Sequence, residues 1–152
     1  MRISAKVDYA VRAAIELAAA EPGQPTKGDA LARAQQIPLK FLENILGDLR
    51  QSGLVVSQRG PDGGYRLERP AAEISVADII RAVDGPLASV RGERPESMHY
   101  AGPAVELAPV WIALRAAVRG VLEHVSLEDV VAGNVPAEVA GLARDPDAWK
   151  RR

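Results

Sequence analysis

Apolar positions in the first half of the chain repeat with helical spacing. Val7, Val11, Ala14, Ile15 and Ala18 predict a helix over Ser4 to Ala20, stopped by Glu21-Pro22-Gly23. Thr26-Lys27-Gly28-Asp29 has the form of a capping box, with the threonine taking an orphan N–H of a short helix that ends near Ala34. Gln35-Gln36-Ile37 is a tight connection. A third helix is expected from Pro38, at a position that tolerates proline, to Ser52. Leu42, Ile45, Leu46 and Leu49 face inward along it, and Lys40, Glu43, Asn44 and Asp48 face outward. Gly53 is a natural C-terminal cap. The period then shortens to two. Leu54–Ser57 and Tyr65–Glu68 read as two strands joined by the turn Gly60-Pro61-Asp62-Gly63-Gly64.

The second half returns to helical spacing. Ser75-Val76-Ala77-Asp78 is a capping box that opens a helix with Val76, Ile79, Ile80 and Val83 on one side, ended by Gly85-Pro86. Residues 87–103 are read as a long irregular loop, a kind of segment that is uncommon unless functional or mobile. A long helix of roughly 31 Å is expected from Ala104 to His124. Its Leu107, Trp111, Leu114, Val118, Val121 and Val125 are spaced 4-3-4-3-4, an a/d seam that packs along another helix, of a partner chain or of its own. Ser126-Leu127-Glu128-Asp129 caps one more short helix, and a flexible tail is expected from Pro136.

Two helices, a turn-linked third helix and a hairpin describe a winged helix-turn-helix. The fold class is therefore mainly α with a small β-hairpin wing. The units expected are the winged helix-turn-helix at 1–86, a loop at 87–103, the long helix with a short following helix at 104–135, and a tail at 136–152.

Composition narrows the chemistry. The 152 residues contain no cysteine. This excludes disulfides, thiolate metal sites and cysteine-ligated iron–sulfur clusters, and it fits a reducing compartment. The net charge is −1, yet residues 1–70 carry ten Lys/Arg against eight Asp/Glu. That balance permits a basic face on the first half. No apolar run reaches membrane-spanning length and no signal-peptide pattern opens the chain, so a cytoplasmic chain without membrane contact is expected. There is no phosphate loop, nucleophile elbow or acid/base pair at useful spacing, and no enzyme activity is expected. His99, Glu93 and Glu96 are too irregularly spaced for a metal site, and His124 suits a helix C-terminus.

Several stretches together resemble the Rrf2 family of bacterial transcription regulators. They are Met1-Arg2-Ile3-Ser4 with Tyr9–Ala13, Ile37–Glu43, Leu49–Val55 and Arg59–Leu67. Arg69-Pro70, Ile74-Ser75, Asp78–Ile80 and Ala82–Pro86 continue the likeness. The resemblance is strong over 1–86 and weak along the long helix. It implies a homodimer that binds a near-palindromic double-stranded DNA operator, usually as a repressor, through a long dimerisation helix. Well-studied members hold a cluster with three cysteines in the loop before that helix, and Leu87–Pro103 has none. Asp8 lies where some members place a carboxylate ligand, and without thiolates it reads as a surface acid. No cofactor is expected. The likeness is closer to a cysteine-free actinobacterial branch and points to sulfur or cysteine metabolism. A small-molecule or protein co-effector has room at the 87–103 loop and in the groove between the long helix and the DNA-binding unit.

Candidate DNA contacts follow from residue chemistry. Lys40 suits phosphate or a guanine edge, Asn44 an adenine, and Glu43 a cytosine amino group as a selectivity element. Phe41, after Pro38, either meets a sugar or thymine methyl or joins the core. Arg59 on the hairpin suits the negative potential of an A·T-rich minor groove. Gly60, Gly63 and Gly64 permit a tight turn and close backbone approach. Arg2, Lys6, Thr26, Arg50 and Ser57 are candidate phosphate contacts. Two other readings fit the same pattern: a winged-helix protein–protein interaction module, and a small-ligand sensor.

Overall fold

The computed structural model describes residues 1–151 and is organised around one alanine-rich helix, α1 (Ala5–Ala19). The helix starts where the Ser4 hydroxyl accepts the Val7 N–H at 3.2 Å. Val7, Ala10, Ala13, Ala14 and Leu17 are buried along it. The small alanines let neighbouring backbones come close. α2 (Gly28–Gln35), α3 (Leu39–Gln51), α4 (Val76–Asp84) and α6 (Leu127–Ala132) all pack against it. Leu42, Ile45, Leu46, Leu49, Ile74, Ile79 and Leu127 fill the space between them.

β1 (Val55–Gln58) and β2 (Gly64–Leu67) form the antiparallel hairpin, with Val55 opposite Leu67 and Gln58 opposite Gly64. A third, single-residue edge completes the wing. Thr26 and Tyr65 exchange two backbone hydrogen bonds of 2.8 Å. This corrects the reading of Thr26 as a helix cap. α2 begins at Gly28 after Lys27, with no side-chain cap, because the extended Thr26 backbone is committed to the sheet edge.

The two serine capping boxes form as the sequence implies. In each, the hydroxyl accepts the N–H three residues on and the aspartate accepts the serine N–H. They also lie side by side. Val76 N–H donates to the Val125 carbonyl and Leu127 N–H to the Ile74 carbonyl, each at 2.9 Å. The chain's later part is thereby returned to the N-terminal core.

Three expectations are corrected in this half. α5 spans Leu107–Leu122, about 24 Å, and not Ala104 to His124. Pro109 explains the late start, since its missing N–H is harmless only in a first turn. The 87–103 segment is built rather than irregular. It holds a turn closed by Val90 and Glu93, a 3₁₀ turn at Pro95–Ser97, and buried Leu87, Pro95 and Met98. Trp111 Nε1 donates to Tyr100 Oη at 3.0 Å and ties the segment to α5. The expected flexible tail contains α7 (Ala137–Arg144) and a 3₁₀ turn at Pro146–Trp149. Pro136 is its N-cap, with non-helical ψ 143°, and Ala-Glu-Val-Ala-Gly-Leu-Ala-Arg is largely helix-favouring. Arg152, the last residue of that expected tail, lies outside the described residues. No described helix is long and apolar enough to cross a membrane.

Candidate nucleic-acid interface

The turn between α2 and α3 depends on Gln36, which takes the left-handed conformation at φ 53° and closes α2 onto the Ala32 and Arg33 carbonyls. Ile37 is buried beside it, and Pro38 then directs the chain into α3. Four buried side chains hold α3 down. Lys40, Glu43 and Asn44 are left exposed on its far side.

An open groove runs along that side. Lys6, Glu43, Asn44, Asp48, Arg50 and Gln51 line it. Lys6 pairs with Asp48 at 2.8 Å, which anchors α1 to α3. Arg50 Nη1 donates to Ser57 Oγ at 3.3 Å and joins the end of α3 to β1. Gly47 sits in the groove wall with nothing within 4 Å of where a Cβ would stand. No packing demand of this chain explains that glycine, which costs a helix interior about 0.5–1 kcal/mol. Gly47 and Gln51 were not among the residues singled out from sequence. Gln51 follows Asn44 at i+7 and shares its face, a signal that was available.

Phe41 is neither core nor free. It is 41% exposed and meets the Tyr9 ring edge-on at 5.6 Å. Arg12 lies 4.9 Å above the same Tyr9 ring and donates to the Gln35 carbonyl at 3.0 Å. Its Nε lies 3.1 Å from the Asp8 carboxylate, so the acid at position 8 is an ion-pair partner.

The wing carries the remaining candidates. Arg59 is exposed at its tip, and the side chains of Lys40, Arg59 and Arg2 have no hydrogen bond or ion pair among the described residues. Gly60 has φ 103°. Gly63 is buried, and a Cβ there would overlap the Gln58 carbonyl. A Cβ at Gly64 would stand 2.5 Å from the Thr26 carbonyl oxygen. Gly63 and Gly64 are therefore needed to build the wing itself, whatever their backbones meet outside it. Thr26 is half-buried with its backbone in the sheet, so only its hydroxyl remains for a contact.

The family model for Rrf2, described as an iron-dependent transcriptional regulator, matches residues 3–133. The chain belongs to the Rrf2 family. Its relatives include Rv1287 of Mycobacterium tuberculosis, which carries a provisional name as an HTH-type transcriptional regulator. The two are 53% identical over 95% of this chain and 90% of that protein. The regulator CymR of Bacillus subtilis is 36% identical over 86% of this chain and 89% of its own length. The solved structure of CymR, described as the global cysteine regulator of B. subtilis, superposes with a TM-score of 0.74. It is 34% identical and covers 88% of this chain and 98% of that one. Like its relatives, this Rrf2 protein is a DNA-binding transcription regulator of winged-helix fold and not an enzyme.

The iron in the family's description finds no matching donor set here. The sequence has no cysteine, and no described group of three His, Cys, Asp or Glu side chains is placed to hold a metal. In the 87–103 segment Glu96 pairs with Arg115 at 2.5 Å, and His99 Nδ1 lies 2.9 Å from the Ser97 carbonyl. The same segment carries Arg91 and Arg94.

Proposed function

We propose that this Rrf2 protein is a homodimeric repressor that reads a near-palindromic operator without an iron–sulfur cluster. One observation carries the DNA-reading assignment. α3 is held by four buried side chains and presents Lys40, Glu43, Asn44, a bare Gly47 and Gln51 along one open face. The wing with its unpaired Arg59 adjoins that face through the Arg50–Ser57 contact. In this reading α3 enters the major groove and Arg59 the flanking minor groove. Arg2, Lys6, Arg50, Ser57 and the Thr26 hydroxyl position the protein on phosphates.

The dimer assignment is supported by α5, which buries none of its side chains fully although most are apolar. Val110, Leu114, Ala117 and Val121 follow each other on a flank turned away from the core. A second copy of the same helix is the partner proposed, with residues 1–86 as the DNA-binding unit and 104–135 as the dimerisation unit. The seam as read from sequence is modified. Val125 lies past the helix and is 7% exposed inside its own chain, and Val118 packs on its own core. The likeness to CymR supports control of genes for sulfur or cysteine metabolism.

Fluorescence anisotropy tests the assignment, with the purified protein on DNA from upstream of its own gene and on unrelated DNA. Site-preferring binding whose log affinity falls linearly with log salt is expected. Equal, weak binding to both DNAs at all salt concentrations would overturn it in favour of an interaction module.

A further inference from the structure

Four guanidinium groups converge on one cleft outside the DNA-reading face. Arg81 comes from α4, Arg115 and Arg119 from α5, and Arg94 from the segment between them. Ser89 and Glu96 complete its polar lining. The cleft holds about 240 Å³, the share of about eight liquid waters, which accommodates an oxyanion and a short substituent.

The charge there is unbalanced. Glu123 accepts from both Arg81 and Arg119, the latter at 3.0 Å, and Asp78 lies 3.9 Å from Arg81. Glu96 pairs with Arg115. Arg94 has no hydrogen-bonding partner for its side chain and no ion pair among the described residues, and acts on Glu96 only through space. Each guanidinium offers five N–H donors in a planar fork, and most of these have no protein acceptor. The segment that carries Ser89 is also strained. Ala88 before it and Arg91 two residues after it, which line a neighbouring pocket rather than this cleft, hold positive φ of 51° and 53° without being glycine. Such residues persist only where the surroundings hold them, and they concentrate at ligand clamps and switches.

We propose that this cleft binds a small molecule through a tetrahedral oxyanion, a phosphoryl or sulfo group. The oxyanion engages Arg94 and Arg115 and displaces the Glu96 carboxylate. A link between the 87–103 segment and α5 is then replaced by a bridge that also reaches Arg81. α4 packs on both α1 and α3, so the ligand acts on how α5 is seated against the DNA-reading helices. This gives the co-effector of the proposed regulator a site and a chemical class. It rests on that reading for its regulatory meaning only.

The test uses the full chain without DNA, titrated with inorganic sulfate and with inorganic phosphate at ionic strength held constant with sodium chloride. Calorimetry is expected to show one saturable site with a dissociation constant of about 1 mM or tighter. Arg94→Gln and Arg115→Gln each weaken it by about tenfold, as for a lost charge-assisted contact. Glu96→Gln tightens it, because the competing carboxylate is gone. Arg144→Gln on α7 removes the same charge elsewhere and leaves binding as it was. No saturable binding, or equal binding by the Arg94→Gln and Arg144→Gln proteins, overturns the site. Arg94 is exposed and unpaired, so its variant folds whatever happens at Arg115. Failure here leaves the operator reading untouched, and loss of operator binding leaves this site standing.

Discussion

Arg59 and Gly64 sit five residues apart on the wing and show two different uses of a residue. The Arg59 side chain has no partner among the described residues, so its charge is available to DNA. Replacing it with alanine is expected to weaken operator binding by about 1 kcal/mol or more, roughly fivefold. Preference should also fall at the base pairs under the wing. Anisotropy on the operator and on mutated half-sites checks this, and unchanged affinity removes Arg59 from the interface. Gly64 serves the fold. It combines φ 150° with a Cβ position 2.5 Å from the Thr26 carbonyl oxygen. Gly64→Ala is expected to destabilise the protein by about 1–3 kcal/mol. A chemical-denaturation midpoint equal to wild type would contradict that account.

Helices in this protein are defined by what covers them. α1 is covered on several sides, and its alanines make that possible. α5 is covered on one flank only, where Val118 and Leu122 rest on the core. Its other flank leaves Val110 54% and Leu114 36% exposed. A carboxylate at Leu114 stays solvated in a monomer and is buried unpaired in the proposed dimer. Leu114→Asp should therefore cost the dimer about 3 kcal/mol or more, on the order of a hundredfold in its dissociation constant. The monomer fold should survive. Sedimentation velocity showing an intact dimer for the variant at micromolar concentration would exclude this helix from the interface.

At the scale of the whole molecule, carboxylates join parts that are distant in sequence. Hydrogen bonds from Arg81 and then Arg119 hold Glu123 below the ordinary glutamate value of 4.5. A backbone N–H and then Arg115 do the same for Glu96. Locally, within its own capping box, the Ser126 N–H and hydroxyl also lower Asp129 below its ordinary 3.8. Each folded value is depressed, so each contribution to stability is complete above the ordinary carboxylate range. It is lost as pH falls through the lowered values. The thermal midpoint should be flat from about pH 7 to 5 and fall below about pH 4. Glu123→Gln should lower the midpoint at neutral pH and flatten part of the acid limb. A midpoint that holds to pH 3, or that drops between pH 7 and 5, contradicts these links.

Much of this was legible in the amino-acid order because it depends on local chemistry. The period of four inward leucine and isoleucine residues determined α3. The Ser-x-x-Asp boxes determined where α4 and α6 start, and the change of period with an Asp-Gly turn determined the hairpin. Absence of cysteine alone settled the thiolate question. The outward positions of α3 followed from the same periodicity, although Gln51 was overlooked. Tertiary structure decided what local signals cannot. Thr26 had a plausible cap to make, but a distant strand claimed its backbone, and burial of paired amides outweighed one side-chain bond. Trp111, Val118 and Val125 satisfied a heptad count, yet turned toward their own chain. A single helix carries no record of which neighbour will cover each flank. The cleft with its four arginines was invisible for the same reason. Its residues lie on three segments between Arg81 and Arg119, and only packing brings their charges together.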